Sequence, residues 1–376
     1  MIKRIVILGS TGVLGSKLLS FLKKNNLKVS LITCFSNYKK LLKQKKYIGS
    51  NRAIVLDNNI TIKCDELDFG EMFLIKHIKE KPINLLYVLN IGFDSLKYID
   101  LVIKFQKNCT LAIANKEIIV AGGHILINKI LKSGNKVLPL DSEHFSLINH
   151  FPERNLIKNY ISKIYLTASG GPFYFNKNFN INNINLNKAT SHPLWKMGFK
   201  NSIDSSNLVN KVLECFELSS LYNFPLSKIG ITILPKGFAH SLVFYKDQRI
   251  SINCFNNDMM IPLTSPFSYK TVLNSPPTSI KIFENKDLNF KAFGNNKFQI
   301  LKYYDKLLTF NHVQQINFMI LNAEAVKRFI LKDLKYVDII PFIFNNINSF
   351  PKTKKFKDLY EIINYTNKIS FKISKL

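Results

Sequence analysis

Arginine is nearly absent from this chain: among 53 basic residues in 376, only Arg4, Arg52, Arg154, Arg249 and Arg328 carry a guanidinium. Bidentate recognition of phosphates and base edges relies on that planar fork. The formal charge of +28 is therefore carried almost wholly by lysines, scattered among Asn, Ile, Phe and Tyr along the whole chain. That spread reads as a composition bias of the kind an AT-rich coding sequence produces rather than as a nucleic-acid surface, although the excess can steer anionic substrates inward. Cysteine is equally sparse. Cys34, Cys64, Cys109, Cys215 and Cys254 are odd in number, widely spaced and without a C-x-x-C, which gives no sign of a disulfide framework or a thiolate zinc site and suits a reducing, cytoplasmic compartment. Apolar runs are short as well. None approaches the roughly 18 residues of a membrane span, so no membrane partner is expected. The stretch Ile5 to Leu8 ends at once in Gly-Ser-Thr-Gly, too short for a signal-peptide core; a transit peptide already removed would leave no trace.

What is present divides into parts. A chain of 376 residues exceeds what one core usually supports, and its 46% hydrophobic content is ample for two or three. Residues 1–140 alternate short apolar runs with helical patterns: Ile5 to Leu8, Val29 to Ile32, Leu85 to Leu89, Leu111 to Ile113 and Val137 to Leu140. Buried parallel strands look like this, and the alternation predicts an α/β, doubly wound parallel sheet. Residues 141–267 predict an α+β domain, with a strand near Ile164 to Thr167, a helix from Ser206 to Leu221, and strands near Ile229 to Leu234, Leu242 to Tyr245 and Ile250 to Cys254 in an antiparallel-capable sheet. The Asn-rich stretch Asn176 to Asn187 reads as a surface connection. Residues 268–290, around Ser275-Pro276-Pro277, read as a linker, and 291–376 as a small helical C-terminal domain built from Phe298 to Leu308, Val313 to Leu331 and Leu359 to Asn367.

Chemistry concentrates in a few places. Lys3 to Leu8 runs into Gly9-Ser10-Thr11-Gly12-Val13-Leu14-Gly15 and then a helical pattern from Ser16. Glycines allow close backbone approach to a pyrophosphate, and the helix N-terminus adds N–H donors and partial positive charge. A strand-turn-helix needing glycine only for its turn would look similar. In NAD-binding sheets an acid at the end of the second strand holds the ribose hydroxyls; here that end reads Thr33-Cys34-Phe35-Ser36-Asn37-Tyr38-Lys39-Lys40, with two lysines and no acid. A 2′-phosphate, hence NADP, fits better.

Asp141 and Glu143 follow a predicted parallel strand, where ligands gather, and point to the same side if the chain is extended. Asn210, Lys211 and Glu214 share one face of the later helix. Three carboxylates without a thiolate suit Mg²⁺ or Mn²⁺ over zinc, while a strand-end cap and a surface i,i+3 pair are the structural alternatives. Ser169-Gly170-Gly171 and Ser205, at the start of that helix, offer hydroxyl and N–H groups to an anion, or simply a turn and a cap. Between them, His192-Pro193-Leu194-Trp195-Lys196-Met197-Gly198 holds the single Trp beside Pro and Gly hinges, as a closing lid or a rigid packed loop.

The segments LGSTGVLGS (8–16), ANKE (114–117), LDSEH (140–144), SGGPF (169–173), HPLWKMG (192–198), DSSNLVNKVLE (204–214) and DMMIP (258–262) occur in order and at the approximate spacing of one family. The chain resembles the 1-deoxy-D-xylulose 5-phosphate reductoisomerases over about residues 1–270, and more faintly at LNAEAVKRFI (321–330). The resemblance implies a Rossmann-like N-terminal domain, a central catalytic domain with a flap near 191–199, and a homodimer. It also implies rearrangement and NADPH-dependent reduction of 1-deoxy-D-xylulose 5-phosphate to 2-C-methyl-D-erythritol 4-phosphate, in non-mevalonate isoprenoid biosynthesis, with Mg²⁺ or Mn²⁺, and Co²⁺ as a third candidate. A decayed, non-catalytic relative and a basic nucleic-acid-binding protein are the alternatives.

By that resemblance Asp141, Glu143 and Glu214 are metal ligands and, with Lys211, the catalytic set. Ser142, Ser169, His192, Trp195, Met197, Ser205, Asn210 and Lys211 contact a small phosphorylated sugar. Gly9, Thr11, Gly12, Val13, Leu14, Asn37, Asn115, Lys116, Glu117 and Gly198 contact the cofactor. The chain departs from the family pattern at Val13, where a small hydroxyl residue is usual, at Phe35-Ser36-Asn37 in place of Gly-Lys-Asn, at Leu234-Pro235-Lys236 in place of His-Pro-Gln, and near Gly92. Lys39 or Lys40 is the expected substitute for the missing lysine.

Overall fold

Ile5–Leu8 form β1, and all four side chains are buried, as the centre of a parallel sheet covered on both faces requires. Around it stand β2 (Val29–Cys34), β3 (Arg52–Val55), β4 (Asp68–Phe69), β5 (Leu85–Val88), β6 (Thr110–Ile113) and β7 (Lys136–Pro139). Their order is β4-β3-β2-β1-β5-β6-β7, with every pairing parallel. The computed structural model describes residues 4–60, 62–150, 157–174, 180–191, 198–235, 237–273, 289–292 and 298–376. This α/β, doubly wound sheet is the one the alternation predicts, with β3 and β4 added beyond the five apolar runs. It belongs to a compact unit of Met1–Ile118, Ile125–Phe145 and Asp258–Ser279; a second unit takes Ile119–His124, Ser146–Asn257 and Ile280–Leu376.

Strand order reverses between β1 and β5, so a crevice opens beyond their carboxyl ends, the usual ligand position in open α/β sheets. Helix α1 (Val13–Lys24) covers the sheet next to it with Leu18, Leu19 and Leu22. They join Ile5, Ile7, Ile32, Leu41 and Tyr87 in one core. The buried Tyr87 hydroxyl donates to the Leu263 carbonyl at 2.6 Å, which fastens the segment after Asp258 to this unit.

Gly15 shows how tightly α1 is seated. A β-carbon there would overlap the Ser10 carbonyl, backbone that cannot swing aside, whereas at Gly12 the nearest atom would lie at an ordinary 3.5 Å. Alanine inside a helix gains about 1 kcal/mol over glycine, and overpacking costs about 1–3 kcal/mol. Gly15→Ala is therefore expected to lower the urea midpoint of unfolding, and Gly12→Ala to leave it nearly unchanged. Equal midpoints for the two variants would contradict this packing.

In the second unit β8 (Ile161–Ala168), β9 (Ile229–Ile233), β10 (Ala239–Tyr245), β11 (Ile250–Cys254) and β12 (Lys291–Ala292) form a sheet of order β11-β10-β8-β9-β12. It is mixed: β8 and β9 run parallel, and the other pairings are antiparallel. A parallel pair needs a long crossover, and residues 169–228 supply it with the helices Phe199–Ser206 and Val209–Tyr222. Two helices stand where one, opened by Ser205, was expected. The Asn207 side chain accepts the Val209 N–H at 3.0 Å, and Leu208 adopts a left-handed φ of 68°, so the helix breaks and Ser205 lies in the last turn of the first one. The helices His312–Leu331, Ile339–Asn346 and Leu359–Ile373 belong to the same unit. Asn322 Nδ2 ties the first of them to Asp204 Oδ1 at 2.9 Å.

Candidate active site

Gly9 leaves β1 at φ 84°, and a β-carbon there would come within 2.7 Å of the Asn90 amide nitrogen just beyond β5. The loop is thus pressed into the crevice between the two central strands. Gly12 caps α1 with no side-chain bond, and the first turn holds no acid, so the helix N-terminus keeps its donors and partial positive charge for an anion. Thr11 is half-buried, while Gly12 and Val13 are exposed and Leu14 half-buried. Behind the loop, Ser10 Oγ donates to Gln44 Oε1 at 2.8 Å and Gln44 Nε2 returns to the Ser10 carbonyl at 3.0 Å. Gln44 lies on α2 (Tyr38–Ile48), whose N-cap is Asn37, accepting from the Lys40 N–H. Lys40 Nζ itself donates to the Thr11 carbonyl at 2.7 Å. Lys39 is exposed.

Asn115 follows β6 and caps the next helix, accepting from Ile118 N–H at 3.1 Å; its amide donates to the carbonyls of Asn90 and Gly92 at 2.6 Å each. Both amide hydrogens are spent on the protein. β6 and β7 pair with Ile113 opposite Pro139, so residues a few positions beyond each strand face one another. Lys116 Nζ accordingly meets Asp141 Oδ2 at 2.8 Å, both largely buried. Burial by itself would raise the Asp141 pKa, but Lys116 and then His144 outweigh it and hold the carboxyl well below the ordinary carboxylate range. Ser142 Oγ donates to the Glu143 carboxylate. Glu117 is buried one residue beyond Lys116.

In the second unit Ser169 follows β8, and Gly170 and Gly171 take φ of 89° and 64°. A β-carbon on Gly171 would lie 2.8 Å from the Ser205 carbonyl, so the Ser-Gly-Gly turn and Ser205 are brought side by side. On the helix Val209–Tyr222, Lys211 Nζ stands 2.6 Å from Glu214 Oε2, and Asn210 Nδ2 donates to Glu214 Oε1. Lys211 and Glu214 are only 5% and 2% exposed, which removes the reading of a solvated surface pair. Gly198 caps the helix Phe199–Ser206. His192, Trp195 and Met197 lie outside the described residues.

Two features escaped the sequence reading. The pairing of Lys116 with Asp141 depends on the β6–β7 register. Glu217, fully buried three residues after Glu214, continues the acidic face; its i,i+3 spacing was the available signal.

The chain is 33% identical over 400 residues to the 1-deoxy-D-xylulose 5-phosphate reductoisomerase of Pelagibacter ubique, covering 100% of this chain and 99% of that one. It belongs to the 1-deoxy-D-xylulose 5-phosphate reductoisomerase family. The reductoisomerase of Francisella tularensis is 32% identical, with 96% of this chain and 95% of that one aligned. Three family profiles match: 1-deoxy-D-xylulose 5-phosphate reductoisomerase at residues 5–123, its C-terminal domain at 137–222, and DXP reductoisomerase C-terminal domain at 256–369. The fold is that of solved reductoisomerases. One in complex with NADPH, fosmidomycin and magnesium superposes with a TM-score of 0.89 at 24% identity, covering 100% of this chain and 97% of that one. The Zymomonas mobilis reductoisomerase in complex with NADPH gives 0.81 at 24%, covering 100% and 99%.

Proposed function

We propose that this chain converts 1-deoxy-D-xylulose 5-phosphate to 2-C-methyl-D-erythritol 4-phosphate, using NADPH and a divalent cation. The observation that carries the reading is the end-to-end relationship to reductoisomerases, with 33% identity across essentially the full length of both chains. The crevice supports the cofactor: Gly12 leaves room for close approach, and no side chain caps α1. The donor set supports the metal, since Asp141, Glu143 and Glu214 offer only hard carboxylate oxygens, which suit Mg²⁺ or Mn²⁺. When bound, the cation polarises the substrate's ketone and hydroxyl oxygens and NADPH supplies the hydride.

The chain's own groups prepare these steps. Lys116 keeps Asp141 ionised, so that the carboxylate is available as a ligand without first losing a proton. Lys211 and Asn210 orient Glu214 and present donors on the same helical face to the substrate's oxygens. Ser169 and Ser205, adjacent through Gly171, hold the phosphate. A flap carrying His192, Trp195 and Met197 closes over it and excludes water, and Asn115, Lys116, Glu117 and Gly198 border the nicotinamide. The enzyme works as a cytoplasmic homodimer in non-mevalonate isoprenoid biosynthesis. The direct test follows NADPH oxidation by the purified chain with Mg²⁺ or Mn²⁺ and 1-deoxy-D-xylulose 5-phosphate: turnover that needs all three is expected, and none with either metal would refute the proposal.

A further inference from the structure

We propose that Lys40 and Phe35 form this chain's own reader of the adenosine 2′-phosphate of the cofactor, Lys40 pairing with the phosphate and Phe35 stacking on the purine. The inference rests on NADPH being the cofactor and says which residues choose it. It starts from an oddity of charge. The first turn of α2 contains no acid and carries Lys39 and Lys40, placing cations at the positive end of a helix, where the macrodipole disfavours them. Their presence does not serve the helix.

Lys40 is distinguished from Lys39 by where the fold holds it. Lys40 and Gln44 are four residues apart on one face of α2, and that face is fastened to the glycine loop: Gln44 to the Ser10 carbonyl at 3.0 Å, Lys40 to the Thr11 carbonyl at 2.7 Å. An ammonium has three donors and keeps its full charge when a neutral carbonyl takes one of them. Among the described residues Thr11 is its one bonding partner. The result is a cation fixed beside the pyrophosphate loop, just past the carboxyl end of β2, where a dinucleotide's adenosine ribose lies. Lys39 is exposed.

Phe35 occupies the same strand end. Its backbone is pinned, its carbonyl accepting from Asp57 N–H at 3.0 Å, yet the residue is 69% exposed. An aromatic face left in water at this position is what a purine would cover, and base–aromatic stacking tolerates any base. Asp57 is the acid nearest in the hydrogen-bond network, and its carboxylate is turned to the amide N–H and side chain of Asn59.

Isothermal titration of the full chain with adenosine 2′,5′-bisphosphate and with 5′-AMP separates these roles without turnover. The wild type is expected to bind the bisphosphate at least about tenfold more tightly. Lys40→Ala should erase most of that preference by weakening the bisphosphate about 10- to 100-fold, with 5′-AMP changed less than about threefold, and Lys40→Arg should restore it. Lys39→Ala should leave the preference intact. Phe35→Ala should weaken both ligands by the same factor of about 5 to 30. An unchanged preference in Lys40→Ala, its loss in Lys39→Ala, or an equal loss of both ligands in Lys40→Ala, which would make Lys40 a brace for the loop, overturns the proposal. No effect of Phe35→Ala removes the stacking role. NADPH titrated against the wild type keeps the two readings apart, since failure to bind it at all would sink the cofactor assignment instead.

Discussion

Glu214→Gln is expected to lower kcat/KM at least about a thousandfold, a loss of about 4 kcal/mol of transition-state stabilisation, with NADPH binding nearly unchanged. Glutamine keeps the length and the bond to Asn210 but removes the charge a divalent cation needs. The Glu214 carboxylate also faces Lys211 at 2.6 Å in a buried setting, so the variant removes one charge of a buried pair. Breaking such a pair from one side costs about 3–5 kcal/mol of stability. Activity must therefore be measured well below the variant's melting midpoint, alongside NADPH titration. Glu214 is not among the residues proposed to contact the cofactor, which is why NADPH binding should be insensitive. Turnover within about threefold of wild type, a difference under about 1 kcal/mol, would exclude Glu214 as a metal ligand.

Lys211→Ala removes a charge-assisted bond of about 1.5–3 kcal/mol, so kcat/KM should fall about 10- to 100-fold or more. It also removes one charge of a buried pair, and the thermal midpoint should drop. The double variant Lys211→Met, Glu214→Gln distinguishes the causes. Removing both charges of the buried pair should relieve much of the stability defect. Activity should stay lost if the pair serves the substrate and metal. Recovery of activity together with stability would show that the two residues matter only to each other.

The residues differ in how far local pattern could reveal them. The strand-glycine-helix run from Ile5 was legible because apolar continuity, glycine spacing and helical periodicity all act within a dozen residues. The place of Asp141 just past a strand end was legible because Val137 to Leu140 reads as a strand by itself, although as the edge strand β7 is only partly buried. By contrast, β3 and β4 are four and two residues long and begin with Arg52 and Asp68. The apolar run Ala53 to Leu56 is a local sign of β3, whereas nothing local marks β4; pairing with β2 and with each other completes them as strands. The break at Asn207-Leu208 was equally invisible, since the helical pattern runs through it and only the capture of Val209 N–H by the Asn207 side chain interrupts it. His192, Trp195 and Met197, substrate contacts by the family resemblance, lie outside the described residues.

Composition and motif order alone determined the class of fold, the family resemblance, and the list of acids, hydroxyls and lysines from which a site could be built. These follow from the chemistry of side chains and from short-range periodicity, which every sequence carries openly. Partnership was decided only in three dimensions. Lys116 meets Asp141 through the register of two strands, Lys40 rather than Lys39 meets the glycine loop through the packing of α2, and Ser205 meets Gly171 through the crossover between β8 and β9. Each of those contacts joins residues 25 or more positions apart, where chain connectivity imposes no distance; the burial of apolar strands and helices does.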